Sequence, residues 1–216
     1  MKIFLDTADT LLIEKYFDTG LIDGVTTNPT LIMKSGKNPE DVYQEIAEIG
    51  IKDISMEVVG NFEEMYAEGY RLAKKFGDVA TIKVPCTREG LQVCKALSDE
   101  GIKVNVTLIF SIPQAVLAAK AGATYVSPFV GRLDDQQVAG LEVVRGICDM
   151  YRIHGAKTQV LSASIRSVQR ATRSWYNGAH IVTMPPEVFD KMYDHILTDK
   201  GMDIFNNDWK LVNMDK

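Results

Sequence analysis

The sequence predicts an α/β chain folded as a single-domain (β/α)8 barrel, the TIM-barrel architecture, with one extra helix at its C-terminus. Three observations lead there. Eight short, apolar, strand-like segments alternate with helical patterns along the chain. Strands joined by helices pair in parallel, and 216 residues divided over eight units leave about 27 each, the compact end of what closed barrels use. No G-x-G-x-x-G turn follows the first strand, where an open dinucleotide-binding sheet would carry one.

The chain opens with a strand over residues 2–5 and a helical pattern over 7–18, in which Leu11, Leu12, Tyr16 and Phe17 share a face until Gly20 ends it. A second strand, 22–25, runs into Thr26-Thr27-Asn28-Pro29, whose proline opens a short helix at 30–33. The turn Ser35-Gly36-Lys37-Asn38-Pro39 starts a longer helix to residue 49, followed by strand three at 53–58. The alternation then repeats. Helix 62–76 leads to strand 80–85, helix 88–98 to strand 103–108, and helix 112–121 to strand 124–126. Helix 136–151 leads to strand 158–161, and helix 168–176 to strand 179–183. Most of these strands are short and rich in Val and Ile, as burial on both faces requires. No linker or low-complexity tract divides residues 1–216. The tail, 198–216, places Ile204, Phe205 and Trp209 at helical spacing, and this extra apolar surface is expected to pack across the barrel or on a neighbouring subunit.

A formal net charge of -5 with no basic tract argues against nucleic acid or an anionic membrane as partner. The N-terminus lacks the apolar region of a signal peptide, and no apolar run is long enough to span a bilayer. Cys86, Cys94 and Cys148 show no C-x-x-C spacing, so we expect reduced, mostly buried thiols in a cytoplasmic protein. His154 and His195 fall near helix ends and His180 just before strand eight, without metal-ligand spacing; neither a metal nor a cofactor is expected.

One residue stands out from this pattern. Lys83 lies inside Ala80-Thr81-Ile82-Lys83-Val84-Pro85, where alternation sends Ile82 and Val84 to one face and Thr81 and Lys83 into the enclosed space. A lysine at a strand end can snorkel to water. Held away from water, its charged form is disfavoured, and the amine becomes a nucleophile near neutral pH.

Active sites of (β/α)8 barrels sit at the C-terminal ends of the strands, and seven of the eight segments deliver a polar or ionisable side chain there. Asp6 ends strand one, Thr26 and Asn28 follow strand two, and Glu57 is near the end of strand three. Asn105 and Thr107 share a face of strand five, opposite Val104, Val106 and Leu108. Ser127 ends strand six, and Ser164 and Arg166 follow strand seven. Each has a plainer reading: Asp6 can cap the next helix, Asn28 can be a turn residue, and Ser127-Pro128 can start a loop. Together, a lysine among carboxylates, hydroxyls and an amide suits imine formation with a carbonyl substrate, and Arg132 and Arg166 suit an anionic group such as a sugar phosphate.

The chain resembles the short transaldolases, the subfamily shared with fructose-6-phosphate aldolase. The likeness rests on Phe4-Leu5-Asp6-Thr7-Ala8, Gly24-Val25-Thr26-Thr27-Asn28-Pro29-Thr30, Ile82-Lys83-Val84-Pro85 and Asn105-Val106-Thr107-Leu108. It continues in Ser127-Pro128-Phe129-Val130-Gly131-Arg132-Leu133-Asp134-Asp135 and Ala163-Ser164-Ile165-Arg166. It implies a class I aldolase with Lys83 forming the imine, Asp6 as general acid/base, and Glu57 and Thr107 holding a proton-shuttling water. It further implies that Asn28, Asn105 and Ser127 bind the donor's hydroxyls, and that Arg132, Ser164 and Arg166 bind the phosphate. Members that act as free aldolases typically carry glutamine at the position of Glu57 and tyrosine at that of Phe129, so the resemblance favours the transferase. A homo-oligomer is expected, and the resemblance suggests a decamer of two pentameric rings with exchanged C-terminal helices. The alternatives are a fructose-6-phosphate aldolase and an inactive barrel that only binds sugar phosphates.

Overall fold

Parallel strands covered by helices must bury both faces, and alternation along each strand divides the side chains between two compartments. A computed structural model describes residues 1–214, with side chains described to residue 212. Its strands are β1 (Lys2–Asp6), β2 (Gly24–Thr26), β3 (Ile54–Glu57), β4 (Ala80–Pro85), β5 (Val104–Ile109), β6 (Tyr125–Pro128), β7 (Gln159–Ser162) and β8 (Ile181–Met184). Each pairs in parallel with the next, and β8 returns to β1 to close the barrel. The predicted architecture is therefore the one observed.

Outward residues such as Leu5, Val25, Met56, Ile82, Val106 and Val182 form one apolar layer with the surrounding helices. Inside the barrel a separate cluster gathers Phe4, Tyr125, Leu161, Ala163 and Ile181. The remaining inward positions are mostly polar: Thr26, Ser55, Thr81, Lys83, Asn105, Thr107, Ser127 and Thr183 are all buried. Buried polar groups need partners, so this interior is a hydrogen-bonded lattice above an apolar plug.

Eleven helices are present among the described residues: α1 (Thr10–Phe17), α2 (Pro29–Ser35), α3 (Pro39–Ile49), α4 (Phe62–Phe76), α5 (Arg88–Asp99), α6 (Ile112–Lys120), α7 (Val130–Asp135), α8 (Gly140–His154), α9 (Val168–Tyr176), α10 (Pro186–Asp190) and α11 (Ile196–Met214). Their starts follow local chemistry. Asn61 and Glu64 form a reciprocal capping box on α4, and the side chains of Thr87, Ser111 and Ser167 accept N–H bonds at the starts of α5, α6 and α9.

Several expected boundaries move. α1 begins at Thr10 because Asp9 accepts from the N–H groups of Leu11 and Leu12; Asp6 is not the cap. The expected helix over 136–151 starts at Gly140, after a separate short α7 and a left-handed Gln137 with φ 60°. Leu108 does not continue the outward face of Val104 and Val106. Its φ is 57°, and β5 shifts register against β6 between Val106 and Ile109, the signature of a bulge. Cys94 and Cys148 are buried and Cys86 is half-buried, all three as free thiols. The tail is helical from Ile196, two residues earlier than expected, and its last two residues lie outside the described chain. In α11, Ile204, Phe205 and Trp209 are exposed rather than buried against the barrel.

The inner plug sets one strict size limit. A Cβ on Gly24 would lie 2.5 Å from the Phe4 ring and 2.7 Å from the Asp53 carbonyl oxygen, and its φ is not left-handed, so the constraint is purely steric. We expect Gly24→Ala to lower stability by about 3 kcal/mol in urea unfolding, and Phe4→Leu in the same chain to recover part of that loss.

Candidate active site

In-register neighbours on parallel strands lie about 4.8 Å apart, so inward side chains in one row meet. The pairings Glu57↔Lys83 and Lys83↔Asn105 set three polar residues side by side, and Asp6↔Thr26 sets two more. At the C-terminal ends of the strands Asp6, Thr26 and Lys83 face a cavity of about 120 Å3, while Glu57, Asn105 and Thr107 lie outside its lining, Glu57 against Lys83. Asp6, Thr26, Asn28, Lys83, Ser127, Phe129, Arg132 and Ser164 line it, with Leu161, Ala163 and Thr183.

Lys83 is 4% exposed. Its Nζ lies 2.9 Å from Glu57 Oε2 and donates to the Thr27 carbonyl oxygen at 2.8 Å. The order of residues along one strand does not say which neighbour Glu57 or Lys83 meets. The strand register supplies what was missing, a carboxylate paired to the ammonium. Asp6, across the cavity, accepts from the Thr26 hydroxyl at 2.8 Å. Burial pushes the Asp6 carboxyl above its ordinary value of 3.8; the Lys83 charge and the Thr26 hydrogen bond oppose this without cancelling it, and the Glu57 charge adds to it.

Asn105 is held at both ends. Its Oδ1 accepts from Ser127 Oγ at 2.7 Å, and its Nδ2 donates to Ser55 Oγ at 3.2 Å. Thr107 Oγ1 is buried and has no hydrogen-bond partner among the described residues, a capacity left for a small polar guest. Asn28 does cap α2, accepting from Leu31 N–H through Oδ1, and also lines the cavity, so its turn and site readings coexist. The Arg132 guanidinium lies 5.3 Å from the centre of the Phe129 ring, which meets Phe110 edge-on at 5.8 Å. Ser164 has a left-handed backbone with φ 56°, and its carbonyl oxygen accepts from Gly131 N–H at 3.0 Å.

Arg166 lies apart from the cavity lining. It forks onto Asp135 with both terminal nitrogens, one of them 2.6 Å from Oδ2, and the pair holds the Asp135 carboxyl below the usual range. The sequence reading also passed over a lower layer. Asp53 accepts from Thr81 and Tyr125 hydroxyls at 2.8 Å each and lies 3.3 Å from Lys103 Nζ. Thr183 was overlooked too, although its place two residues after inward Ile181 on β8 would have revealed it. His180 accepts from Val160 N–H at 3.0 Å through Nδ1. Among the described residues no group of His, Cys, Asp and Glu could hold a metal ion, and no helix is long and apolar enough to cross a membrane.

The raised Asp6 carboxyl gives a signed stability prediction. Its preference for the proton in the fold favours stability below the ordinary value of 3.8, and that contribution is lost as pH rises through the folded value. Asp6→Asn, neutral at every pH, is therefore expected to be more stable than the wild type at neutral pH. Urea unfolding across a pH series should show the wild-type slope flattened in the variant.

A bulged barrel strand, a capped loop and an ion pair inside the barrel are features distributed over most of the chain, so a relative sharing them should align end to end. The model of the Transaldolase/Fructose-6-phosphate aldolase family matches residues 3–215. A curated protein of Paracoccus denitrificans (strain Pd 1222), named "Probable transaldolase", is 50% identical over 210 residues, covering 97% of this chain and 96% of its own. One of Nitrosopumilus maritimus (strain SCM1), with the same name, is 49% identical over 214 residues, covering 98% and 96%. With a match of this length, from the first strand to the last helix, the chain belongs to the transaldolase/fructose-6-phosphate aldolase family.

Proposed function

We propose that the protein is a transaldolase. It would move a dihydroxyacetone unit from sedoheptulose 7-phosphate or fructose 6-phosphate to an aldose phosphate, as in the pentose phosphate pathway, through an imine on Lys83. The observation that carries this reading is a buried lysine in contact with one carboxylate and sharing its cavity with a second. The two carboxylates have different neighbours, and so can do different work. Glu57 touches the amine and is placed to take its proton, freeing the lone pair to attack the ketone carbon. Loss of the carbinolamine hydroxyl as water then gives the protonated imine, and the unpartnered Thr107 hydroxyl is suited to hold that water with Glu57. Asp6, its carboxyl pushed upward by burial, holds a proton more readily than a free carboxylate: it takes the substrate hydroxyl proton as the carbon–carbon bond breaks. The bonding electrons pass into the imine and leave an enamine. The enamine adds to the acceptor aldehyde, Asp6 returns the proton to the new hydroxyl, and hydrolysis frees Lys83.

The cavity suits a three-carbon fragment better than a whole ketose phosphate. Ser127 and the Asn28 and Asn105 amides would meet the donor's hydroxyls, with Thr26 holding Asp6. Arg132 and Ser164 line the same cavity and would take the phosphate; Arg166 would join them by turning from Asp135 or act through its field. Phe129, packed on Phe110, keeps one wall apolar, which favours an enamine that waits for an aldehyde over one protonated by water.

The test is one coupled assay run with and without erythrose 4-phosphate. We expect turnover of fructose 6-phosphate to depend on the acceptor, borohydride with the ketose phosphate to add mass at Lys83, and Lys83→Met to lower activity on the order of 10^4-fold. Rapid cleavage without acceptor would make it a fructose-6-phosphate aldolase. Sugar-phosphate binding with no trapped adduct would make it a binding barrel.

The same reading includes a cytoplasmic homo-oligomer, with α11 as the contact and a decamer of two pentamers as its form. In support, Ile196, Leu197, Ile204, Phe205, Trp209 and Leu211 are each more than half exposed, a larger apolar display than one solvated helix needs. Removing residues 196–216 should yield a smaller, folded species by light scattering; an unchanged mass would reject α11 as the contact.

A further inference from the structure

We propose that Thr183 is a positioning residue for Asp6. Its hydroxyl and that of Thr26 form a two-step relay whose direction reverses when Asp6 Oδ1 gains or loses a proton. This rests on the transaldolase reading, in which Asp6 carries a proton for part of each turnover. The relay is short and enclosed. Thr183 Oγ1 lies 2.6 Å from Thr26 Oγ1, which lies 2.8 Å from Asp6 Oδ1, and the two threonines are 1% and 2% exposed.

Counting hydrogens fixes the direction in the ionised state and, with the proton on Asp6 Oδ1, in the protonated state. An ionised Asp6 can only accept, so the single Thr26 hydrogen must point to it, and Thr183 must then donate to Thr26. A protonated Asp6 can donate to Thr26, which turns its hydrogen to Thr183; the Thr183 hydrogen in turn faces the cavity that Thr183 lines. Neither state strands a donor. Valine at 183 spares the ionised state, where Thr26 still donates to Asp6. In the protonated state it removes the Thr183 acceptor and leaves the Thr26 hydrogen only the cavity that Thr26 also lines, which disfavours that state by one buried hydrogen bond. The charges facing Asp6 are Lys83 and Glu57 inside the barrel and Arg132 at the cavity mouth, with Asp9, Lys34, Lys37 and Glu187 along the groove on its outer side. None changes in Thr183→Val, so a displaced titration reports the relay.

The experiment compares wild type, Thr183→Val and Thr183→Ser in the acceptor-dependent assay across pH, together with a direct carbon NMR titration of the Asp6 carboxyl. For the valine variant we expect kcat to fall about tenfold with KM changed less than about twofold, and the acidic limb and the Asp6 titration to move about one pH unit lower. Serine, which keeps the hydroxyl, should restore both. An Asp6 titration that stays in place or moves upward in Thr183→Val overturns the relay, as does a serine variant that behaves like valine. Should valine fail to fold, Thr183→Ala carries the same expectation. The two readings separate cleanly: a wild type with no trapped adduct at Lys83 sinks the transferase assignment alone, because the NMR shift needs no turnover.

Discussion

A lysine ammonium and a glutamate carboxylate facing each other inside a closed barrel form the interaction on which the rest of this interior depends. Desolvating two ions costs several kcal/mol each, and their attraction offsets that only with good geometry and further hydrogen bonds. Here the 2.9 Å contact between Lys83 and Glu57 is supplemented by the Thr27 carbonyl, and neighbouring strands hold the pair from both sides. The Lys83 ammonium therefore lies against a carboxylate that can accept its proton. Two carboxylates of equal surroundings could not divide the work; Glu57 bound to the amine and Asp6 bound to a hydroxyl can.

That arrangement stands on a layer the chemistry never touches. Asp53, near the start of β3, ties Thr81, Tyr125 and Lys103 together, joining four strands below the active lysine. Above it, Ser55 holds one end of the Asn105 amide while Ser127 holds the other. An amide accepts through O and donates through N, so Ser127 serves here as donor and Ser55 as acceptor. Phe4 completes the floor, and only glycine at position 24 leaves room for its ring. Rigidity at the active rows is thus distributed through the polar interior, which suits catalysis by groups held in advance of the substrate.

The mouth is built differently, from loops under local strain. Ser164 holds a left-handed backbone and anchors the first turn of α7 through its carbonyl, while the bulge at Leu108 ends regular pairing just beyond Thr107. Non-glycine residues resist this conformation, so the surrounding packing has to impose it. Arg132 stays over Phe129 on the same short helix, and the Asp135 fork fixes Arg166 outside the cavity. The site thus has a fixed polar floor and a strained rim.

The eight-fold alternation, the inward face of each strand and the oddity of Lys83 in an apolar strand were all legible from local order, because a period of two along a strand is set by backbone geometry alone. The same rule marked Asn105 and Thr107, and position at the strand ends marked Asp6, Thr26, Glu57 and Ser127 before any contact was known. Which of them touch was a matter of strand register and barrel closure, long-range properties that no window of sequence contains. Thus Asp9 rather than Asp6 capped α1, Glu57 acquired its lysine, Thr183 reached Thr26 across the seam where β8 meets β1, and Arg166 turned to Asp135. Local chemistry determined what each residue could offer; closing the barrel decided to whom.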